Sequence, residues 1–132
     1  MKASARRYAP PGRTYHFDAT AGNDANTGAV DKPLQTIAAL NALALKPNDR
    51  VLLKRGETWS NTVLTVPTSG KPANHIIFAA YGTGNKPIIS CGANSNNIDI
   101  SNRIDIAFYV YYFAIFKASY YVNYGIYFSY VA

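Results

Sequence analysis

Short apolar bursts alternate with polar turns along most of this chain. Ile76-Ile77-Phe78 and Ile88-Ile89 flank the turn Tyr81-Gly82-Thr83-Gly84-Asn85-Lys86-Pro87. β-Branched and aromatic residues on both sides of a Gly/Asn/Pro cluster predict strand, corner, strand. The same texture predicts strands at Tyr15-His16-Phe17, at 50–54 (RVLLK) and at 62–66 (TVLTV), with Thr58-Trp59 opening a further segment. Ile98-Asp99-Ile100 and Ile104-Asp105-Ile106 alternate apolar and acidic, as half-buried strands do. One stretch has a different period. In 34–45 (LQTIAALNALAL), Leu34, Ile37, Leu40 and Leu43 recur at three-residue steps, while Gln35, Thr36 and Asn41 mark a wet side. That predicts an amphipathic helix, started near Asp31 and Pro33 and stopped by Lys46-Pro47.

The strands also recur. Val51 to Ile76 is an offset of 25 (76 − 51), and Val63 to Ile88 is again 25 (88 − 63). Ile76 to Ile98 and Ile104 to Ile126 are each offsets of 22 (98 − 76 and 126 − 104). Periods of twenty-odd residues built from short strands and corner turns predict an all-β solenoid. A single coil cannot bury its apolar face, so consecutive coils stack. The helix at 34–45 then acts as a cap, covering the first coil's apolar side chains and open strand edges.

The loop 18–33 (DATAGNDANTGAVDKP) adds candidate chemistry. Asp18, Asp24, Asn26 and Asp31 offer hard oxygen ligands of the kind calcium takes. The same residue types build Asx turns by bonding their own backbone, and this reading is favoured. The spacing fails the EF-hand pattern: with Asp24 first, Gly28 falls fifth and Gln35 stands where a bidentate Glu belongs. No cofactor is expected to be required, and calcium is the metal considered for this loop.

Composition narrows the function classes. Hydrophobic residues make up 48% and charged residues 15%, a balance that excludes a disordered chain. The net charge of +6 is concentrated at the start. Lys2, Arg6, Arg7 and Arg13 all precede the first acid, Asp18, so residues 1–14 read as a flexible basic arm and 15–132 as the folded body. No basic stripe with interleaved aromatics follows, so no nucleic-acid partner is expected. Cys91 is the single cysteine and reads as an inert core thiol. Residues 1–14 have a basic start but no apolar run of the secretory type. The apolar run 104–116 is too short for a bilayer and contains Asp105, so no membrane span is expected. Eight of the eleven tyrosines lie between Tyr109 and Tyr130, which marks the C-terminal coils as an aromatic surface.

Residues 14–92 resemble the N-terminal part of secreted right-handed parallel β-helix proteins of the pectate-lyase-like superfamily. The resemblance rests on YHFDATAGNDANTG, KPLQTIAALNALALKPNDRVLLKRGETW and IIFAAYGTGNKPIIS. It implies an extracellular or cell-surface protein with a polysaccharide partner, built of capped first coils that continue past Ala132. In the lyases of this superfamily a Lys or Arg takes a proton beside a uronate whose charge is offset by calcium or polar groups. Those groups come from central coils. Lys54-Arg55 with Glu57 is the best charged set in this chain, and it reads as a solvated corner. Trp59 could meet a sugar ring but reads as core. No catalytic constellation is identifiable, so the chain is expected not to be catalytic by itself. The alternative is a self-associating structural or fibre-forming protein. Tyr120, Tyr121, Tyr124, Tyr127 and Tyr130 would then supply the contact with another copy or with further coils.

Overall fold

Three parallel sheets each gain a strand as the chain winds. The computed structural model describes residues 12–90, 98–99, 103, 106–108, 114–115, 118–119 and 126–128. β1 (Thr14–Phe17) leads into the polar loop and a short helix, α1 (Ile37–Asn41). The first coil is β2 (Arg50–Lys54), β3 (Thr58–Ser60) and β4 (Leu64–Thr65). The second is β5 (Ile76–Tyr81), β6 (Ile88–Ser90) and β7 (Ile98–Asp99). The third is β8 (Ile106–Phe108), β9 (Ala114–Ile115) and β10 (Ala118–Ser119), and β11 (Ile126–Phe128) opens the next. The sheets run in the orders β1-β2-β5-β8-β11, β3-β6-β9 and β4-β7-β10. Every named strand pair is parallel. An all-β chain with this connectivity fits a β-helix.

Alternation explains the core. Tyr15 and Phe17, Val51 and Leu53, and Ile76 and Phe78 are buried, while the residues between them are partly exposed. Parallel register places these inward residues in rows. Tyr15 lies beside Val51, Val51 beside Phe78, and Ile76 beside Ile106. Trp59 stacks beside Ile89 in the second sheet and Leu64 beside Ile98 in the third. Trp59 is core, as expected, at 5% exposure. Corners join the rows. Gly56 (φ 82) and Gly82 (φ 81) adopt the left-handed conformation that glycine takes without a Cβ penalty. The Gly56 N–H donates to the Asn85 carbonyl at 2.8 Å, so successive corners also stack.

Several expectations need correction. The period is not fixed. Val51 pairs with Phe78, an offset of 27 (78 − 51), rather than with Ile76. Ile88 stacks on Thr58 and not on Val63, and Leu64 stacks on Ile98, an offset of 34 (98 − 64). Ile76 stands beside Ile106 and not Ile98. Ile126 stands beside Ile106, an offset of 20 (126 − 106). Corner length differs from coil to coil, so equal spacing in sequence is not equal height in the stack. The 62–66 strand shortens to Leu64–Thr65.

The expected helix at 34–45 contracts to the five residues Ile37–Asn41. Leu34 is taken by β1: its N–H donates to the His16 carbonyl, and its own carbonyl accepts from the Asp18 N–H, both at 2.9 Å. Tertiary pairing overrides the helical period there. Thr36 is the N-cap, its hydroxyl accepting from the Ala39 N–H at 3.1 Å. Leu34, Ile37, Leu40 and Leu45 still bury together. Asn41 performs the edge-covering task. Its Nδ2 donates to the Val63 carbonyl and its Oδ1 accepts from the Thr65 N–H, both at 2.9 Å, so one amide stands in for a neighbouring strand beside β4. Order also starts earlier than Tyr15. Thr14 is in β1, and the Arg13 N–H donates to Asp49 Oδ1 at 2.8 Å. Residues 1–11 of the expected arm and Cys91 lie outside the described residues.

Candidate functional site

The corner after β1 and β2 collects the charged chemistry. β1 ends at Phe17, beside Leu53, which leaves Asp18 level with Lys54; Lys54 in turn lies beside Tyr81. Lys54 Nζ reaches Asp18 Oδ2 at 2.8 Å. Asp18 is 3% exposed, and its Oδ1 accepts from the N–H groups of Thr20 and Ala21 at 3.0 Å each. The Thr20 N–H is shared with Glu57 Oε1 at 2.8 Å. The Tyr81 hydroxyl donates to the Phe17 carbonyl at 3.4 Å, and its ring meets His16 edge-on with centroids 4.9 Å apart. His16 Nδ1 lies 3.0 Å from the Gly28 carbonyl, a contact that requires the proton on Nδ1.

These contacts fix the protonation states. Burial on its own would raise the Asp18 pKa. The Ala21 N–H, the Lys54 ammonium and the Thr20 N–H outweigh it and hold the carboxyl down at about 2. The hydrogen bond and charge of Asp18 push the Lys54 ammonium up. Burial pushes the Tyr81 phenol up, and the charge of Asp18 adds to that shift. Near neutrality the cluster is therefore an ionised carboxylate against an ionised ammonium. Neither is poised to exchange a proton, because efficient proton transfer needs a pKa near the working pH. The set is better partnered than a solvated corner: Arg55 Nη1 also donates to the Gly84 carbonyl at 3.2 Å.

The loop residues proposed as calcium ligands do not converge. Asp24 Oδ1 accepts from the Gln35 and Thr36 N–H groups at 2.8 and 2.9 Å, and its Oδ2 accepts from the Thr36 hydroxyl at 2.6 Å. Burial works against ionisation of Asp24, but these donors win and lower its pKa. Asn26 Nδ2 donates to the Pro33 carbonyl at 2.9 Å, and Asp31 is exposed. Asp18 is held by Lys54. Among the described residues no three His, Cys, Asp or Glu side chains could together hold a metal ion. The loop uses its Asp and Asn side chains as Asx-type turn and cap acceptors. Tyr120, Tyr121, Tyr124 and Tyr130 lie outside the described residues, and Tyr127 lies in β11.

A second feature opens beside the charged corner. A groove of about 400 Å³ runs between the α1 segment and β3, with Gln35, Ile37, Thr58, Trp59, Ser60 and Thr62 on its walls. No ionisable side chain lines it.

Solved structures share this architecture. The selenomethionine crystal structure of GH136 lacto-N-biosidase from Eubacterium ramulus matches with a TM-score of 0.70 and 25% identity, over 86% of this chain and 21% of that one. The native crystal structure of the same protein matches with a TM-score of 0.69 and 26% identity over the same shares. This chain therefore spans about a fifth of the length of those it matches. No family model and no curated protein matches it.

Of the corner cluster, sequence reading singled out Lys54 and Glu57 but missed Tyr81 and His16 as their neighbours. The row Asp18–Lys54–Tyr81 depends on the rung register, in which Lys54 pairs with Tyr81 at an offset of 27 (81 − 54), and the spacing of 25 between the apolar runs does not give it. The groove left no signal either, because α1 and β3 meet there only through folding.

Proposed function

We propose that this chain is the N-terminal right-handed β-helix portion of an extracellular polysaccharide-active or polysaccharide-binding protein and is not catalytic by itself. The observation that carries this reading is the likeness to the lacto-N-biosidase structures, a TM-score of 0.70 across 86% of the chain. The corner electrostatics support the non-catalytic part, since the acid and base that the described residues bring together there, Asp18 and Lys54, are held against each other in their charged forms. The relation to the pectate-lyase-like superfamily rests on the quoted motifs. The test is direct. Incubated with insoluble polysaccharides, pectate and alginate included, the chain is expected to sediment with at least one of them and to release neither unsaturated nor reducing ends. Product release would overturn the non-catalytic reading, and failure to sediment with any glycan would overturn the polysaccharide reading.

A second reading, self-association through the tyrosine-rich coils, is favoured by one feature. β11 pairs with β8 on one side, and among the described residues no strand pairs with its other side. A strand edge of this kind takes either a further coil of its own chain or a strand of another copy, and the second is this reading. Light scattering that shows a monomer at high concentration would remove this reading.

A further inference from the structure

The leading edges of the three sheets are finished differently. The edge of β1 is covered by the loop, through the His16 N–H on the Gly28 carbonyl and the Leu34 N–H on the His16 carbonyl. The edge of β4 is covered by the Asn41 amide. β3 is the end strand of its sheet, and among the described residues no strand pairs with its outer side. The groove lies along that side.

The polar groups there are specific. Ile88 donates to the Glu57 carbonyl at 3.1 Å, so by the alternation of a parallel ladder the peptide groups of Thr58 and Ser60 face away from β6. Thr58 and Ser60 are exposed, and Thr62 is partly so. Their three hydroxyls have no protein partner among the described residues. Across the groove, Gln35 uses its Nε2 to donate to the Ala19 carbonyl, which leaves Oε1 as an acceptor. The apolar remainder is supplied by Ala19, Ile37 and Ala38 and by the rim of Trp59, whose indole N–H is fixed to the Gln35 carbonyl at 2.7 Å.

We propose that this groove is a binding subsite for a neutral sugar, a stretch of glycan without uronate groups. The proposal rests on the polysaccharide reading above and adds its location and charge class. Hydroxyls and an amide in an uncharged, half-apolar groove match a pyranose, which offers hydroxyl edges and a C–H face. A carboxylate would find no cation in the lining. The volume suits roughly one or two sugar rings, within the usual range for small-molecule sites. An added peptide strand fits poorly. β3 is only three residues long, and Asn61 at φ 55 turns the backbone out of the extended conformation immediately after it.

Trp59 is the chain's single tryptophan and sits in the groove wall, so its emission reports occupancy. The experiment titrates the chain with neutral oligosaccharides, with oligouronates and with an extended peptide, following tryptophan emission and, in parallel, sedimentation with insoluble glycans. Neutral oligosaccharides are expected to shift the emission saturably, and oligouronates and peptide to leave it unchanged. Thr58→Val and Ser60→Ala, both at exposed positions, should each weaken the neutral ligand about three- to tenfold, the range for loss of one hydrogen bond. Circular dichroism verifies that both variants remain folded. An unmoved emission, an affinity unchanged from the parent chain in both variants, or an equal response to uronate or peptide would overturn the subsite. If the chain still sediments with glycan while Trp59 stays silent, the subsite fails and the polysaccharide reading stands. If neither responds, both fail.

Discussion

The charged corner and the neutral groove are neighbours with opposite economies. Asp18, Lys54 and Glu57 carry the formal charge, yet their polar atoms are largely engaged by Thr20, Ala21 and one another. Thr58, Ser60 and Thr62 carry none, yet their hydroxyls face open space. A charge removed from water must be satisfied by partners, so a buried carboxylate reports a structural debt already met. A neutral hydroxyl at the surface is cheap to leave open and therefore stays available. In this molecule charge marks what holds the first coils together, and unpartnered neutral polarity marks where a ligand can enter.

Mutation can break that contrast most severely at Asp18. Asp18→Ala strands the N–H of Ala21 and leaves Thr20 to Glu57 alone, and it removes the partner of Lys54. A loss of about 2–4 kcal/mol is expected in denaturant unfolding, from one broken ion pair and the donors it leaves unsatisfied.

Acid tests the same corner without mutation. The Asp18 carboxyl titrates near 3.8 when unfolded and at about 2 when folded. A depressed folded pKa gives stability that is fully present above the unfolded value and fades as pH falls from about 4 toward 2. On the order of 2 kcal/mol should be lost across that window, with Asp24 contributing in the same direction. A flat stability profile from pH 5 to about 2 would contradict the geometry of both carboxylates.

Asn41→Ala lies between the extremes. It uncovers the edge of β4 by removing two hydrogen bonds, and about 1–2 kcal/mol is expected from thermal unfolding. It should also make the β4 edge resemble that of β3, and a rise in self-association would expose what the amide prevents. The smallest effect belongs to the groove. Ser60→Ala should change stability by less than about 0.5 kcal/mol, as exposed substitutions without a partner do. A larger loss would mean that the hydroxyl is structural and would erase the distinction between the two regions.

Several parts of this arrangement could be read before folding. The alternation around Val51 and Leu53 and around Ile76 and Phe78 shows which side chains turn inward, because a strand's side chains change face at every residue. The Gly/Asn/Pro cluster at 82–87 shows a corner. The Asx character of 18–33 shows up in the acceptor roles of Asp18 and Asp24. The candidate site was half visible. Lys54 and Glu57 stood out as charges, but their partners depend on which residue of the next coil lies above them.

What the chain alone determined is therefore local: strand, corner, inward face, and the need for coils to stack. Height in the stack was decided only by tertiary structure. Corners of unequal length absorb residues, so Leu64 finds Ile98 and Trp59 finds Ile89, at different offsets within one pair of coils. The same competition shortened the helix. The period of 34–45 favoured helix throughout, but the unpaired edge of β1 claimed Leu34, and backbone groups at a sheet edge must be paired wherever water is excluded. The groove is the remainder of that settlement, the one leading edge beside which α1 came close without closing.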